Sequence, residues 1–257
     1  HRMDPNTPLE ETMGALATAV QSGKAIYAGL SNYNGETLEK ATAILNELHV
    51  PFVINQNRYS IFDRTIEKNG LKETANRLGK GIIAFSPLAQ GLLTDRYLHG
   101  IPADSRVHTD GRFLKEKDIT PEKIAKIRAL NEIAAARGQT LAEMALAWIL
   151  KDGQVTSVLI GASRPEQILD NIKALDNTAF TAEELEAIDR AGAARQLFAH
   201  VFRRVAAPDA EIQALEHAGA HAAEPGGKGV ARRDVRRCQI GRAALRVQRE
   251  CDLCVHH

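Results

Sequence analysis

The sequence predicts an α/β protein built on a parallel sheet, and three observations predict it. From residue 1 to about 192, segments with apolar residues at helical spacing alternate with short β-rich runs. The turns between them are short, as strand-helix units require. Each β-rich run also ends in a cluster of small, hydroxyl or amide residues.

Thr7-Pro8-Leu9-Glu10 opens the first helix, with Thr7 as N-cap, Pro8 at the first helical position and Glu10 closing a capping box. Met13, Leu16, Ala17 and Val20 form its apolar stripe, and Gly23 ends it. Residues 25–30 read as a strand. Residues 36–48 read as a helix with Leu38, Ala41, Leu45 and Leu48 on one face. A strand over 52–55, a helix over 66–78 and a strand over 81–85 follow. The polar stretch 97–120 reads as a loop over one face, and loops of that length are usually functional or mobile. Thr120-Pro121-Glu122 and Thr140-Leu141 start helices over 121–137 and 140–151. Residues 155–160 make a fourth strand, and 164–174 and 181–191 the last helices. Four strands, each followed by a helix, fit the C-terminal half of a (β/α)8 barrel or an open doubly wound sheet. Periodicity leaves both open, and in either architecture ligands gather at the strand C-terminal ends.

Composition narrows the function classes. The 257 residues are 44% hydrophobic and 25% charged, ordinary for a globular chain, and the formal charge of +1 gives no global attraction to nucleic acid or membrane. No apolar run approaches the ~18 residues that would span a bilayer. Charge divides the chain unevenly: residues 1–192 hold 22 Lys+Arg against 25 Asp+Glu, and residues 193–257 hold 11 against 7, ten of those bases being Arg. Cys238, Cys251 and Cys254 all lie in this second segment. We expect residues 193–257 to be a separate Arg/Ala-rich tail, in a non-native frame or disordered. Cys251 and Cys254 with His256 make only half of a zinc site, so no metal is expected. The basic clusters lack interleaved aromatics, so no nucleic-acid partner is expected.

The polar strand ends carry the chemistry. They are Ser31-Asn32, Asn55-Gln56-Asn57, Ser86 through Gly91, and Gly161-Ala162-Ser163-Arg164. Converging on one face, they would form a polar ligand site; taken singly, each also serves to turn the chain. The fourth is the most specific. It opens a helix, where free N–H groups and the dipole favour an anion, and Arg164 can fork onto a phosphate. Neither a Gly-x-Gly-x-x-Gly nor a Gly-Lys-Ser/Thr phosphate motif is present.

Residues 1–13 (HRMDPNTPLEETM), 85–93 (FSPLAQGLL) and 158–171 (VLIGASRPEQILDN) together resemble the aldo-keto reductases. The similarity is to the branch holding the bacterial L-glyceraldehyde 3-phosphate reductases and the voltage-gated potassium channel β-subunits, and it extends to about residue 190. It implies the C-terminal half of a (β/α)8 barrel over residues 1–192, an NADPH cofactor and a cytoplasmic enzyme. The implied substrate is a small aldehyde, phosphorylated ones included. A membrane partner is not implied, and a homo-oligomer is compatible. By the resemblance, His1 is the active-site histidine that orients the carbonyl. Ser31, Asn32 and Gln56 bind the nicotinamide carboxamide, and Phe85 stacks on the ring. Ser86, Pro87, Leu88 and Gln90 surround the pyrophosphate. Arg96, where a lysine is common, and Arg106 add basic contacts. Gly161, Ser163 and Arg164 hold the 2′-phosphate; Gln167 and Asn171 meet the adenine, with Asp170 where a glutamate is frequent. The family's tyrosine acid, its lysine and its aspartate belong upstream of the histidine. Tyr27, Tyr33, Tyr59 and Tyr97 match none of that motif and are expected in the core or on the rim. The expectation is therefore an N-terminally truncated chain without turnover. The rival is a cofactor-binding regulatory subunit, against which His1 weighs, since the channel relatives carry asparagine there.

Overall fold

The computed structural model describes residues 1–103, 105–109 and 111–192; the tail, with all three cysteines and His256, lies outside the described residues. The elements are α1 (Leu9–Gln21), β1 (Ala28–Ser31), α2 (Gly35–Glu47), β2 (Phe52–Arg58), α3 (Thr65–Lys68), α4 (Leu71–Arg77) and β3 (Gly81–Phe85). Then come α5 (Arg106–Thr109), α6 (Pro121–Ala136), α7 (Leu141–Leu150), β4 (Ser157–Val158), α8 (Pro165–Ile172) and α9 (Ala182–Gly192). The four strands form one parallel sheet in the order β1-β2-β3-β4. Ser31 stands opposite Gln56 and Arg58 opposite Phe85, so β2 runs past the end of β1 and finishes level with β3.

One face of the sheet is packed by helices. Met13 and Ala17 from α1, Leu38, Ala41 and Leu45 from α2, and Leu71 and Ala75 from α4 are buried with Ile82 and Ala84 of β3. From Leu141 to Ile149, α7 is buried almost throughout, as a sequence that is apolar except for the capping residue Glu143 requires. The other face of β2 carries Ile54, Gln56 and Arg58, all half-buried. Among the described residues no helix is long and apolar enough to cross a membrane.

Several helix starts obey local chemistry. Thr120 Oγ1 accepts from the Lys123 N–H at 3.2 Å, and Thr140 forms a reciprocal capping box with Glu143. The first helix departs from expectation. Thr7 Oγ1 donates to Asp4 Oδ2 at 2.7 Å, which removes it as a cap, and the helix starts at Leu9 with Pro8 as the N-cap residue. The expected helix over 66–78 is split at Gly70, whose φ of 74° breaks it into α3 and α4. There the backbone of Gly35 comes so close that a Cβ on Gly35 would stand 2.6 Å from the Gly70 carbonyl. The fourth strand is shorter than its apolar run, because only Ser157 and Val158 find strand partners, on β3. Over 97–120 the chain is anchored instead of open: Tyr97 and Leu114 are buried, and the Tyr97 and Ser105 hydroxyls are 2.9 Å apart.

Candidate active site

The ends of β1 and β2 hold the first group of residues. Ser31 Oγ and the Asn32 N–H both donate to the Gln56 carbonyl at 2.9 Å. Asn32 takes a left-handed backbone, φ 61°, which a short amide side chain tolerates. Its Nδ2 donates to Ser31 Oγ at 3.0 Å and to the His1 carbonyl at 3.5 Å. The exposed His1, though outside any regular element, is thereby held beside the end of β1. Extended backbone sends successive side chains to opposite faces, and this divides the Asn55-Gln56-Asn57 cluster. Asn55 and Asn57 are buried: Asn55 Nδ2 donates to Asn57 Oδ1, and Asn57 Nδ2 donates to the Tyr33 carbonyl at 3.3 Å. Gln56 turns the other way, half-buried, and its amide has no hydrogen-bond partner among the described residues. An open amide presents a donor and an acceptor side by side, the complement of a carboxamide.

On β3, the half-buried Phe85 has the Arg58 guanidinium 5.8 Å from its ring centroid. The loop after it takes positive φ at Ser86 (54°), Ala89 (49°), Gln90 (63°) and Gly91 (92°). Strained non-glycine positions of this kind cost about 1–3 kcal/mol each and cluster at ligand-binding loops. Gln90 Nε2 donates to Ser86 Oγ at 3.3 Å, closing the loop on itself. Pro87 is buried and Leu88 packs on the core, so a ligand would meet only their backbone. Arg58, Ser60, Asp63, Ser86, Gln90 and Phe113 line a small, open concavity.

Of the predicted residues, Ser86 and Gln90 line that concavity and the others do not. At the start of α8, the Ser163 and Arg164 N–H groups donate to Gln167 Oε1 at 2.7 and 3.3 Å, and Ser163 Oγ donates to the same oxygen at 3.2 Å. The helix start that the sequence marks as an anion site is thus capped by its own Gln167. Gly161 is exposed, and so is Arg164, whose side chain has no partner among the described residues. Asp170 pairs with Lys173 at 2.9 Å, and Asn171 is half-buried. Arg96 is exposed on the 3-10 turn Asp95–Tyr97, and Arg106 opens α5.

The sequence reading does not single out Arg58, Ser60, Asp63 or Phe113. The available signal was the period of two, which puts Gln56 and Arg58 on one face; ending β2 at Asn55 hides it. Phe113 comes from the 97–120 segment, whose fold no local pattern announces.

A family model, the aldo/keto reductase family, matches residues 1–193. The chain belongs to the aldo/keto reductase family. It is 52% identical over 193 residues to the L-glyceraldehyde 3-phosphate reductase of Escherichia coli K12, an alignment covering 74% of this chain and 56% of that protein. It is 35% identical over 179 residues to a probable voltage-gated potassium channel subunit beta of Oryza sativa subsp. japonica, covering 68% and 55%. A thermostable aldo-keto reductase crystallised with the inhibitor epalrestat superposes with a TM-score of 0.55 at 31% identity, covering 75% of this chain and 58% of that one. The chain spans about half the length of the curated relatives it matches. Its four-stranded parallel sheet with flanking helices corresponds to part of the aldo-keto reductase (β/α)8 barrel.

One Tyr–Lys pair invites comparison with an acid catalyst. Tyr59 Oη donates to Glu67 Oε1 at 2.5 Å, and Lys151 Nζ donates to Tyr59 Oη at 3.2 Å while lying 3.6 Å from the Trp148 ring centroid. Tyr59 is fully buried on the helix side of β2, and burial followed by the Glu67 carboxylate pushes its phenol upward, away from easy proton release. It belongs to a structural network. Tyr33 and Tyr97 are buried as well, Tyr27 is exposed, and none of the four tyrosines lines the concavity.

Proposed function

We propose that residues 1–192 form the cofactor-facing part of an NADPH-dependent reductase of small aldehydes, phosphorylated ones included. The observation that carries this reading is the open Gln56 amide beside Ser31, Asn32 and His1, at the end of strands that belong to an aldo/keto reductase fold. That donor set fits a nicotinamide carboxamide, and members of the family generally use NAD(P)H. Bound there, the cofactor supplies a hydride for a carbonyl carbon. Asn32, held by the Gln56 carbonyl, and Gln56 itself fix which face of the ring is presented. Phe85 gives that ring an apolar wall and excludes water from one side. Ser86 and Gln90, in their strained loop, offer hydroxyl and amide groups to the pyrophosphate. Arg164, exposed beside the start of α8, accounts for a preference for the 2′-phosphorylated cofactor; Gln167 must release the Ser163 and Arg164 N–H groups when that phosphate arrives. His1 orients the carbonyl oxygen.

Proton delivery is a different matter. No tyrosine lines the concavity, and loss of a general acid alone costs typically ~10²–10⁴ in rate. We therefore expect this chain by itself to bind NADPH without reducing aldehydes. Fluorescence titration of the 257-residue chain with NADPH and NADH tests the reading. Saturable NADPH binding is expected, weakened by Gln56→Ala and, for NADPH but not NADH, by Arg164→Ala. Equal or absent responses to the two cofactors would defeat it. Aldehyde turnover abolished by His1→Ala would defeat the expected inactivity.

A further inference from the structure

Two amides lie where the fold alone calls for apolar side chains. On the side of β2 turned away from Gln56, Asn55 is 0% and Asn57 5% exposed, in a parallel sheet whose covered strands ordinarily carry aliphatic residues. A fully satisfied pair would cost the fold little, and this pair is not fully satisfied. Asn55 Nδ2 donates to Asn57 Oδ1, but Asn55 Oδ1 is buried with no hydrogen-bond partner among the described residues. A buried acceptor without a donor is a standing cost, and aliphatic residues of similar size in both positions would remove it. Such local violations of good packing are expected at functional sites.

The remaining bond of the pair shows its use. With Oδ1 turned to Asn55, Asn57 presents Nδ2 to the Tyr33 carbonyl, 3.3 Å away. Tyr33 follows Asn32, whose φ of 61° turns the chain from β1 toward α2. A non-glycine residue keeps that conformation only where its surroundings over-determine it. Three bonds do so here, all to groups of residues 56 and 57. Ser31 Oγ and the Asn32 N–H donate to the Gln56 carbonyl at 2.9 Å, and Asn57 Nδ2 donates to Tyr33. The first two hold the turn at its start and the third holds it from behind. Release of the third frees Asn32 to relax toward right-handed backbone. Its side chain then leaves Ser31 Oγ and the His1 carbonyl, to which Nδ2 donates at 3.0 and 3.5 Å.

We propose that Asn57, its amide oriented by Asn55, is a positioning residue that holds the Asn32 turn in the conformation facing the nicotinamide. The ligand in this statement rests on the reductase reading; the held turn rests on the buried amides alone.

The test is NMR of the 257-residue chain, with titration of NADP+ and of adenosine 2′,5′-bisphosphate, which keeps the adenine and the 2′-phosphate but has no nicotinamide. Without ligand, the Asn32 Cα and Cβ shifts report its left-handed backbone, and Asn57→Leu is expected to move them toward right-handed values. The same variant should weaken NADP+ about tenfold, the factor that follows when the binding-competent turn falls to about a tenth of the population. Affinity for the bisphosphate should stay within about twofold, because that ligand does not reach the turn. Asn55→Leu exchanges one orphan oxygen for another and leaves the Asn57 amide unoriented. Its Tm should therefore stay near that of the parent chain while NADP+ weakens by about threefold, a separation that a merely structural role would not produce. Should Asn57→Leu fail to fold, Asn55→Leu and Asn57→Ser, whose side chain is too short to reach the carbonyl, carry the comparison. Each is expected to weaken NADP+ and spare the bisphosphate. Equal losses for the two ligands overturn the proposal, as does unchanged NADP+ affinity in the folded variants. Unmoved Asn32 shifts in the folded Asn57 variants defeat it whether or not the cofactor binds. Absence of NADP+ binding to the parent chain, with those shifts moved, defeats the reductase reading and leaves the held turn standing.

Discussion

Arg137 offers the clearest measure of what holds the last helix in place. Its side chain is only 3% exposed, at the C-terminal end of α6. Nη1 donates to Glu184 Oε2 at 2.5 Å, Nε to Gln139 Oε1 at 2.9 Å, and Nη2 to the carbonyls of Ala179 at 2.8 Å and Asn177 at 3.3 Å. The Phe180 ring lies 3.7 Å from the guanidinium carbon. One side chain thus ties α6 to the 177–180 segment and to the first turn of α9. Removing one partner of a buried ion pair costs about 3–5 kcal/mol. Here the lower end applies, because Glu184 is 28% exposed and keeps the Thr181 N–H at 2.8 Å, and Gln139 Nε2 still reaches the Asn177 carbonyl at 3.2 Å. We expect Arg137→Met to lose about 3 kcal/mol in urea denaturation, equivalent to about 6–12 °C in Tm for a folded unit of this size. Hydrogen exchange should show the loss first in the amides of 177–192. Glu184→Gln, which keeps the α9 cap but not the charge, should lose about 1–2 kcal/mol. A loss below about 1 kcal/mol for Arg137→Met would refute the assignment of α9 docking to this residue.

Two further predictions follow from buried groups. Burial, then repulsion from Lys72, lowers the Lys151 ammonium from the ordinary 10.5 to about 8, so between those values the unfolded chain binds the extra proton. Stability should therefore rise as pH climbs from about 8 toward 10, by about 3 kcal/mol at most because the Trp148 ring attracts the cation, and Lys151→Met should flatten the rise in urea midpoints measured across that range. Gly35→Ala should cost about 1–3 kcal/mol by calorimetry, since its Cβ would meet the Gly70 backbone at 2.6 Å and Thr74 Oγ1 at 2.9 Å, and backbone cannot swing aside as a side chain does.

Much of the local structure around the candidate site was legible residue by residue because its signals are local. Thr120 and Thr140 cap their helices through bonds to groups three residues away, and β3 spans the residues its apolar run marks. Ser31, Asn32 and Gln56 come together because parallel pairing sets strand ends side by side. The failures are equally specific. Thr7 satisfies a helix start in sequence, yet Asp4 takes its hydroxyl. At the start of α8 the sequence marks free N–H groups, yet the Gln167 carboxamide accepts from those of Ser163 and Arg164. In both, two local hydrogen bonds compete, and sequence order does not say which is made.

The sequence by itself determined the alternation of strands and helices, the polar character of the strand ends and the family likeness carried by three motifs. These depend on periodicity, capping and residue type, all expressed within a few positions. The tertiary structure alone decided that Arg58 faces Phe85 and that Gly35 lies against Gly70. It also decided that Arg137 reaches Asn177, Ala179 and Glu184, forty residues and more along the chain. Register and helix docking are set by the joint burial of surfaces far apart in sequence, and no window of neighbouring residues contains that sum.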